Sequence, residues 1–489
     1  MPMVELRDVS FRYRGGGTEG LNGISLDIEP GEIVVLAGES GCGKTTLTRC
    51  INGLVPRFYE GQFSGTVLID GEDVSRRSIG EIGRQIGSVF QDPRSQFFTT
   101  TSTAEVAFAC EHFGFPAHEI RRRVDQAFED LGIEALRDRS VFDLSTGERQ
   151  KIAMASVYAT RPRLYVLDEP SANLDPEATA HLARIIEALR SQGAAVVIAE
   201  HRLHYLAGIL DRLVLIRRGE IAEVFGREAL HALAPADLEG RGLRQLDLTR
   251  TRAQSGSAPL RDIAYFQGHD VSVSFDKREV LAGVSLQASR GEVVGIIGPN
   301  GAGKTTFARV ATGLAEPQGG RFRFHYRVTP ARDRLSNSFF VLQDADYQLY
   351  AESVIDELLI GRSDSVNTRT RAGEVLVRLG LDGLADRHPQ SLSGGQKQRL
   401  TIAAATLRES SVVFLDEPTS GLDAANLLRV VAEIRDLGRN GQVVFVISHD
   451  YELLVRACTR IVRIENGVVD ADYPLDDQST ALLRSQLIA

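Results

Sequence analysis

Long hydrophobic runs are missing from this chain of 489 residues. Its longest apolar stretches, such as Ala194–Ala199, are strand-sized, well short of the roughly 18 residues that cross a bilayer. The N-terminus has no basic segment followed by an apolar one, so no signal peptide is expected. Work at a membrane would then have to run through a partner. Cysteine is scarce, and Cys42, Cys50, Cys110 and Cys458 have neither paired nor metal-ligand spacing. They read as reduced thiols of a cytosolic protein; Cys42 falls inside a glycine-rich loop, where it reads as a tolerated small residue, the alternative being a redox role. A basic excess is missing too. The formal net charge is −9, whereas affinity for nucleic acid is drawn from Lys and Arg neutralising phosphates, so no nucleic-acid partner is expected.

What is present is a globular composition, 43% hydrophobic and 25% charged, in a chain long enough for two domains. An internal repeat organises it. Gly38-Glu-Ser-Gly-Cys-Gly-Lys44-Thr45 returns as Gly298-Pro-Asn-Gly-Ala-Gly-Lys304-Thr305, 260 residues on. Leu144-Ser-Thr-Gly-Glu148, Leu167-Asp-Glu-Pro170 and His201 return as Leu392-Ser-Gly-Gly-Gln396, Leu415-Asp-Glu-Pro418 and His449, each 248 residues on. Gln91 and Gln343 sit between them in the same order. The repeat places a first domain at 1–235, a polar and charged surface linker at 236–262, and a second domain at 263–489. In each half, short apolar runs such as Ile33–Ala37, Leu164–Leu167 and Ala195–Ala199 alternate with longer amphipathic ones. That pattern predicts an α/β fold with a mainly parallel core sheet.

The chemistry follows from residue types. In Gly-x-x-x-x-Gly-Lys-Thr, glycines (Gly38, Gly41, Gly43; Gly298, Gly301, Gly303) let backbone N–H groups face a polyphosphate, and the following helix adds its N-terminus. Lys44 and Lys304 would bridge β- and γ-phosphates; Thr45 and Thr305 would ligate Mg²⁺, with Thr46 and Thr306 completing the loops. Asp168 and Asp416 end apolar strands, where a carboxylate can hold Mg²⁺. Glu169 and Glu417 come next, placed to polarise an attacking water as general bases.

With Leu144-Ser145-Thr-Gly147-Glu148 and Leu392-Ser393-Gly394-Gly395-Gln396, both halves resemble ATP-binding cassette domains, over essentially the whole chain. The resemblance implies two P-loop domains, each with a helical signature subdomain, packed head to tail around two ATP molecules. Lys44, Asp168, Glu169 and His201 would face Ser393–Gln396, and Lys304, Asp416, Glu417 and His449 would face Ser145–Glu148. It further implies that Gln91 and Gln343 reach Mg²⁺ and the attacking water, and that Tyr13 and Phe275 stack on adenine. Asp175 and Asp423 would couple the sites, while His201 and His449 would contact the γ-phosphate. The first signature departs from the second at Thr146 and Glu148, so two hydrolytic but unequal sites are expected.

After each glutamine, Gln91-Asp92-Pro-Arg-Ser-Gln96 and Gln343-Asp344-Ala-Asp-Tyr-Gln348 resemble the ATPase subunits of energy-coupling factor importers. That likeness implies a fused ATPase on the cytoplasmic face of the cell membrane, joined to a transmembrane scaffold and a separate substrate-binding membrane subunit, importing a vitamin or metal micronutrient. The alternative from another class is a soluble tandem cassette protein acting on ribosomes or nucleic-acid machinery.

Overall fold

The computed structural model describes residues 1–14, 20–172, 174–253, 264–275 and 278–487. It divides into two compact units, Met1–Asp247 and Leu248–Ala489. In the first, the strand Ile33–Ala37 is buried along its whole length. Ile33, Val35 and Ala37 face a core shared with helices, and Val34 and Leu36 face a second core on the other side. A strand covered on both faces must be apolar throughout, which is why it carries no alternation. Around it lies a six-stranded sheet in the order Glu220–Gly226, Arg212–Arg217, Ile33–Ala37, Ala195–Ala199, Leu164–Asp168, Ile86–Val89. All pairs are parallel except the outermost, Glu220–Gly226 with Arg212–Arg217.

The second core is closed by a four-stranded antiparallel sheet, Leu21–Ile28, Val4–Tyr13, Gly61–Ile69 and Glu72–Asp73, which the sequence pattern did not announce. The second unit repeats both sheets, with Arg278–Ser289, Ala264–Phe275, Gly319–Phe324 and Arg327–Val328 in one. The other holds Ser338–Val341, Val412–Asp416, Val443–Ile447, Val293–Ile297, Arg460–Glu465 and Val468–Pro474. Three helices contribute to the core on one face of each core sheet: Ser102–His112, Ala117–Asp130 and Thr146–Thr160 in one unit, Val354–Leu359, Val366–Arg378 and Gly394–Arg408 in the other. No helix among the described residues is long and apolar enough to cross a membrane.

The segment expected to be linker is, up to Asp247, packed on the first unit. It forms a helix at Pro235–Gly240, and Leu238, Leu243 and Leu246 enter that unit's core. Residues 254–263 lie outside the described residues, as does Asn173.

The two units fill their cores differently. Phe414 stacks on Phe445 with centroids 4.5 Å apart, and Phe266 meets Phe445 edge-on at 4.9 Å; the corresponding positions of the first unit are Val166 and Val197. Phe414 is fully buried, so Phe414→Ala is expected to cost about 3–5 kcal/mol of stability. Urea unfolding followed by circular dichroism measures it. A cost below about 1 kcal/mol would mean that the aromatic cluster is loosely packed.

Candidate functional site

Each glycine-rich loop leaves its central strand through a backbone only glycine accepts. Gly38 has φ 144° and Gly298 φ 142°. A Cβ on Gly38 would lie 2.2 Å from the Ile216 carbonyl oxygen, and on Gly298 1.9 Å from that of Ile464. The loops then deliver Gly43 and Gly303, in left-handed conformation, to the N-termini of the helices Lys44–Ile51 and Lys304–Thr312. Lys44 Nζ donates to the carbonyls of Gly38 (2.9 Å) and Glu39 (3.0 Å), and Lys304 Nζ to those of Gly298 (2.7 Å) and Pro299 (2.9 Å). Both ammonium groups are buried in the loops they close. A concave set of N–H groups with a fixed cation is an anion cradle.

Beside it, Thr45 Oγ1 donates to Asp168 Oδ1 (3.3 Å) and Thr305 Oγ1 to Asp416 Oδ2 (2.7 Å). Burial raises the pKa of both aspartates. One hydroxyl and one carboxylate are hard oxygen donors that suit Mg²⁺, an ion that keeps waters and substrate phosphates for its remaining positions.

Glu169 and Glu417 both sit at φ 47°. The N–H of each is pinned across the sheet, to Ala199 O (2.8 Å) and Ile447 O (2.9 Å). Gln91 Nε2 donates to Glu169 Oε2 (2.9 Å), and His201 Nε2 lies 3.6 Å from Oε1. Burial, followed by the charges of Asp168 and Glu200, pushes the Glu169 carboxyl up to about 8. In the second unit Ser448 Oγ donates to Glu417 Oε2 (3.0 Å) and His449 N to Oε1 (3.1 Å), with His449 Nε2 3.9 Å from Oε1. The Gln343 side chain is exposed. Loop, acid pair and histidine therefore converge in each unit.

The signatures are helix starts. Ser145 caps Thr146–Thr160, its Oγ accepting from Glu148 N (3.2 Å) while Glu148 Oε2 accepts from Ser145 N (2.7 Å). Ser393 and Gln396 repeat this reciprocal pair on Gly394–Arg408. The last signature residue is thus fixed by capping, and Gly147, Gly394 and Gly395 occupy the first turns, where backbone N–H groups have no partner within the helix. Glu148 is also gripped by Arg139 (2.7 Å). Asp175 and Asp423 cap the helices Pro176–Ser191 and Ala424–Arg439, accepting from Ala178 N (2.9 Å) and Asn426 N (2.7 Å).

The two aromatic positions differ. The Tyr13 ring packs edge-on against Phe11 and Tyr59, and its hydroxyl meets Thr46 (3.2 Å) and Arg49 (3.1 Å) at the phosphate-loop helix. Phe275 is 57% exposed at the end of its strand. Glu200, buried beside Glu169, was not singled out from sequence. The mismatch of Ala199-Glu-His201 with Ile447-Ser-His449 was the available signal.

The model of the ABC transporter family matches residues 21–172 and 281–420. A Treponema denticola protein provisionally named an ABC transporter ATP-binding protein is 40% identical over 472 residues, covering 96% of either chain. A Bacillus subtilis protein provisionally named an HMP/thiamine import ATP-binding protein is 30% identical, over 92% of this chain and 88% of its own. The fold is also that of a structure of ribosome-bound archaeal Pelota and ABCE1, 23% identical with TM-score 0.71, over 98% of this chain and 80% of that one.

Proposed function

This chain belongs to the ABC transporter family as an ATPase of two tandem ATP-binding domains, and from that premise we propose that it is the fused ATPase of an energy-coupling factor importer. In this reading it sits on the cytoplasmic face of the cell membrane and drives a transmembrane scaffold and a substrate-binding subunit carrying a vitamin or metal micronutrient. Each ATP would be held by the loop lysine, with threonine and aspartate, Thr45 with Asp168 and Thr305 with Asp416, holding Mg²⁺. Mg²⁺ supplies charge neutralisation on the phosphates. Glu169 and Glu417 take the proton of the attacking water, while His201 and His449 hold the γ-phosphate.

The observation that carries the transport reading is the surface beside each family glutamine. Gln348 bonds the Phe340 carbonyl (2.8 Å) and the Leu342 N–H (3.1 Å), and Gln96 does the same with Ser88 (3.1 Å) and Phe90 (3.2 Å). Each glutamine thereby fastens a short 3₁₀ turn to the sheet edge. Next to this turn in the second unit lies a groove of about 160 Å³ lined by Leu349, Tyr350, Leu358, Ile360 and Arg408. Tyr350 is 78% exposed, and in the first unit Phe98 is 73% exposed while stacking on Phe108. Aromatic side chains held open beside a groove suit an amphipathic helix of a membrane partner. The importer named for the Bacillus subtilis relative supports the vitamin class.

Tagging the protein in its own cell, solubilising gently and identifying what co-purifies tests the reading. Two multi-span membrane proteins are expected. Recovery from the soluble fraction with ribosomal proteins would overturn it.

A further inference from the structure

Beside its histidine, each unit buries a carboxylate that the hydrolytic roles do not use. In the first it is Glu200, 2% exposed. Its Oε2 accepts from Ser171 Oγ (2.7 Å) and Tyr205 OH (2.9 Å), and its Oε1 from the N–H groups of His201 (2.7 Å) and Arg202 (3.1 Å). Burial, then the charge of Glu200, raises the Tyr205 pKa well above 10, so that hydroxyl stays a donor.

The repeat aligns Glu200 with Ser448 and Arg202 with Asp450. Asp450, 3% exposed, is the buried carboxylate next to the histidine of the second unit. Its Oδ2 accepts from Thr419 Oγ1 (2.8 Å) and its Oδ1 from Leu453 N (3.3 Å), while its own N–H donates to Ser448 Oγ (3.1 Å). Thr419 aligns with Ser171. The acid has thus changed sides of the histidine, from the residue before it to the residue after it, and kept its grip on the same hydroxyl. That hydroxyl stands two residues past the hydrolytic glutamate. A charge this buried persists only when its oxygens are satisfied, and charge-assisted bonds are the strong ones.

We propose that Glu200 and Asp450 are positioning residues for ATP hydrolysis, each tying the histidine-bearing turn to the strand end that presents the hydrolytic acid, and that the two placements are interchangeable. The exchange alters what the turn can reach. With Glu200 in place, the His201 N–H is taken by the anchor. With the anchor moved to position 450, the His449 N–H and the Ser448 hydroxyl bond Glu417 itself. The first unit therefore holds its histidine beside the acid, and the second holds histidine and acid together. This rests on the assignment of Glu169 and Glu417 as the hydrolytic acids.

Steady-state ATPase kinetics of the full chain test it. Glu200→Ser with Asp450→Asn removes both anchors, and kcat is expected to fall at least about 10-fold, with KM for ATP within about threefold, because turns displaced by about an ångström cost catalysis before binding. Adding Arg202→Asp to that variant rebuilds in the first unit the arrangement native to the second, and is expected to recover kcat at least about fivefold. Retention of more than half the wild-type kcat by the first variant overturns the proposal. So does a lack of recovery in the second while melting temperature and nucleotide binding match the wild type. Should the double variant not fold, Glu200→Gln decides, since it keeps the shape and removes the charge. A fall in kcat at unchanged KM supports the anchor, and full activity overturns it. Glu169→Gln with Glu417→Gln, assayed alongside, separates the two layers: wild-type hydrolysis there removes the assignment of the acids, whereas its loss beside an active anchor variant overturns this inference alone.

Discussion

A chain carrying both Glu169→Gln and Glu417→Gln is expected to bind ATP as the wild type does and to hydrolyse it roughly 10²–10⁴-fold more slowly. The amide keeps the shape and the hydrogen bonds that Gln91 makes to Glu169 and Ser448 makes to Glu417, and it removes the proton acceptor. Phosphate release together with retention of labelled nucleotide measures both halves of the claim; full hydrolysis would take these acids out of the mechanism. The variant should also carry a stability signature. Burial, then Asp168 and Glu200, holds the Glu169 carboxyl up at about 8 in the folded chain, against about 4.3 for an unfolded glutamate. Between those values the native state keeps a proton that the unfolded state has released, so stability falls as pH rises. Glutamine has no such proton, and the melting temperature of the variant relative to the wild type is expected to climb from pH 5 to pH 8.

Gly298→Ala is expected to weaken nucleotide binding in the second unit about 10- to 100-fold. The methyl would stand 1.9 Å from the Ile464 carbonyl oxygen at a φ of 142°. The obstacle is backbone, so the loop itself must shift. Overpacking of this kind costs about 1–3 kcal/mol, and about 1.4 kcal/mol is tenfold in affinity. Gly38→Ala meets the Ile216 carbonyl at 2.2 Å and should act alike in the first unit. Gly373→Ala, in a helix with nothing within 4 Å of the added methyl, serves as the control. Titration with a fluorescent ATP analogue reads the difference, and unchanged affinity for Gly298→Ala would show that this loop is not the phosphate cradle.

The parts of the site legible in sequence are those where local backbone chemistry and function coincide. The spacing of Gly38, Gly43 and Lys44 describes a turn and a helix start, which could be read without knowing what packs around them; Ser145 and Glu148 were read through the family resemblance, and their capping box came from the structure. The parallel core sheet was legible because Ile33–Ala37 and Leu164–Leu167 are apolar at every position. The antiparallel sheet was not, since Val4–Tyr13 finds its partner at Gly61–Ile69 and no local pattern encodes that pairing. Leu238, Leu243 and Leu246 stand among charges and read as surface, yet they complete a core. Glu200 was passed over for a related reason. An acid beside a histidine reads as solvated until Ser171 and Tyr205 are seen to enclose it.

The left-handed backbone of Glu169 and Glu417 sets two preferences against each other. At a φ of 47° the chain is most comfortable with glycine, asparagine or aspartate, and a longer side chain there is held at a cost of about 1–3 kcal/mol. Only glutamate combines the reach and the basicity that hydrolysis asks for. At these two positions local comfort therefore favours a shorter residue, and the demand for turnover is what keeps glutamate in place. The identity of the amino acid after each strand-ending aspartate then becomes a record of whether that half still turns over.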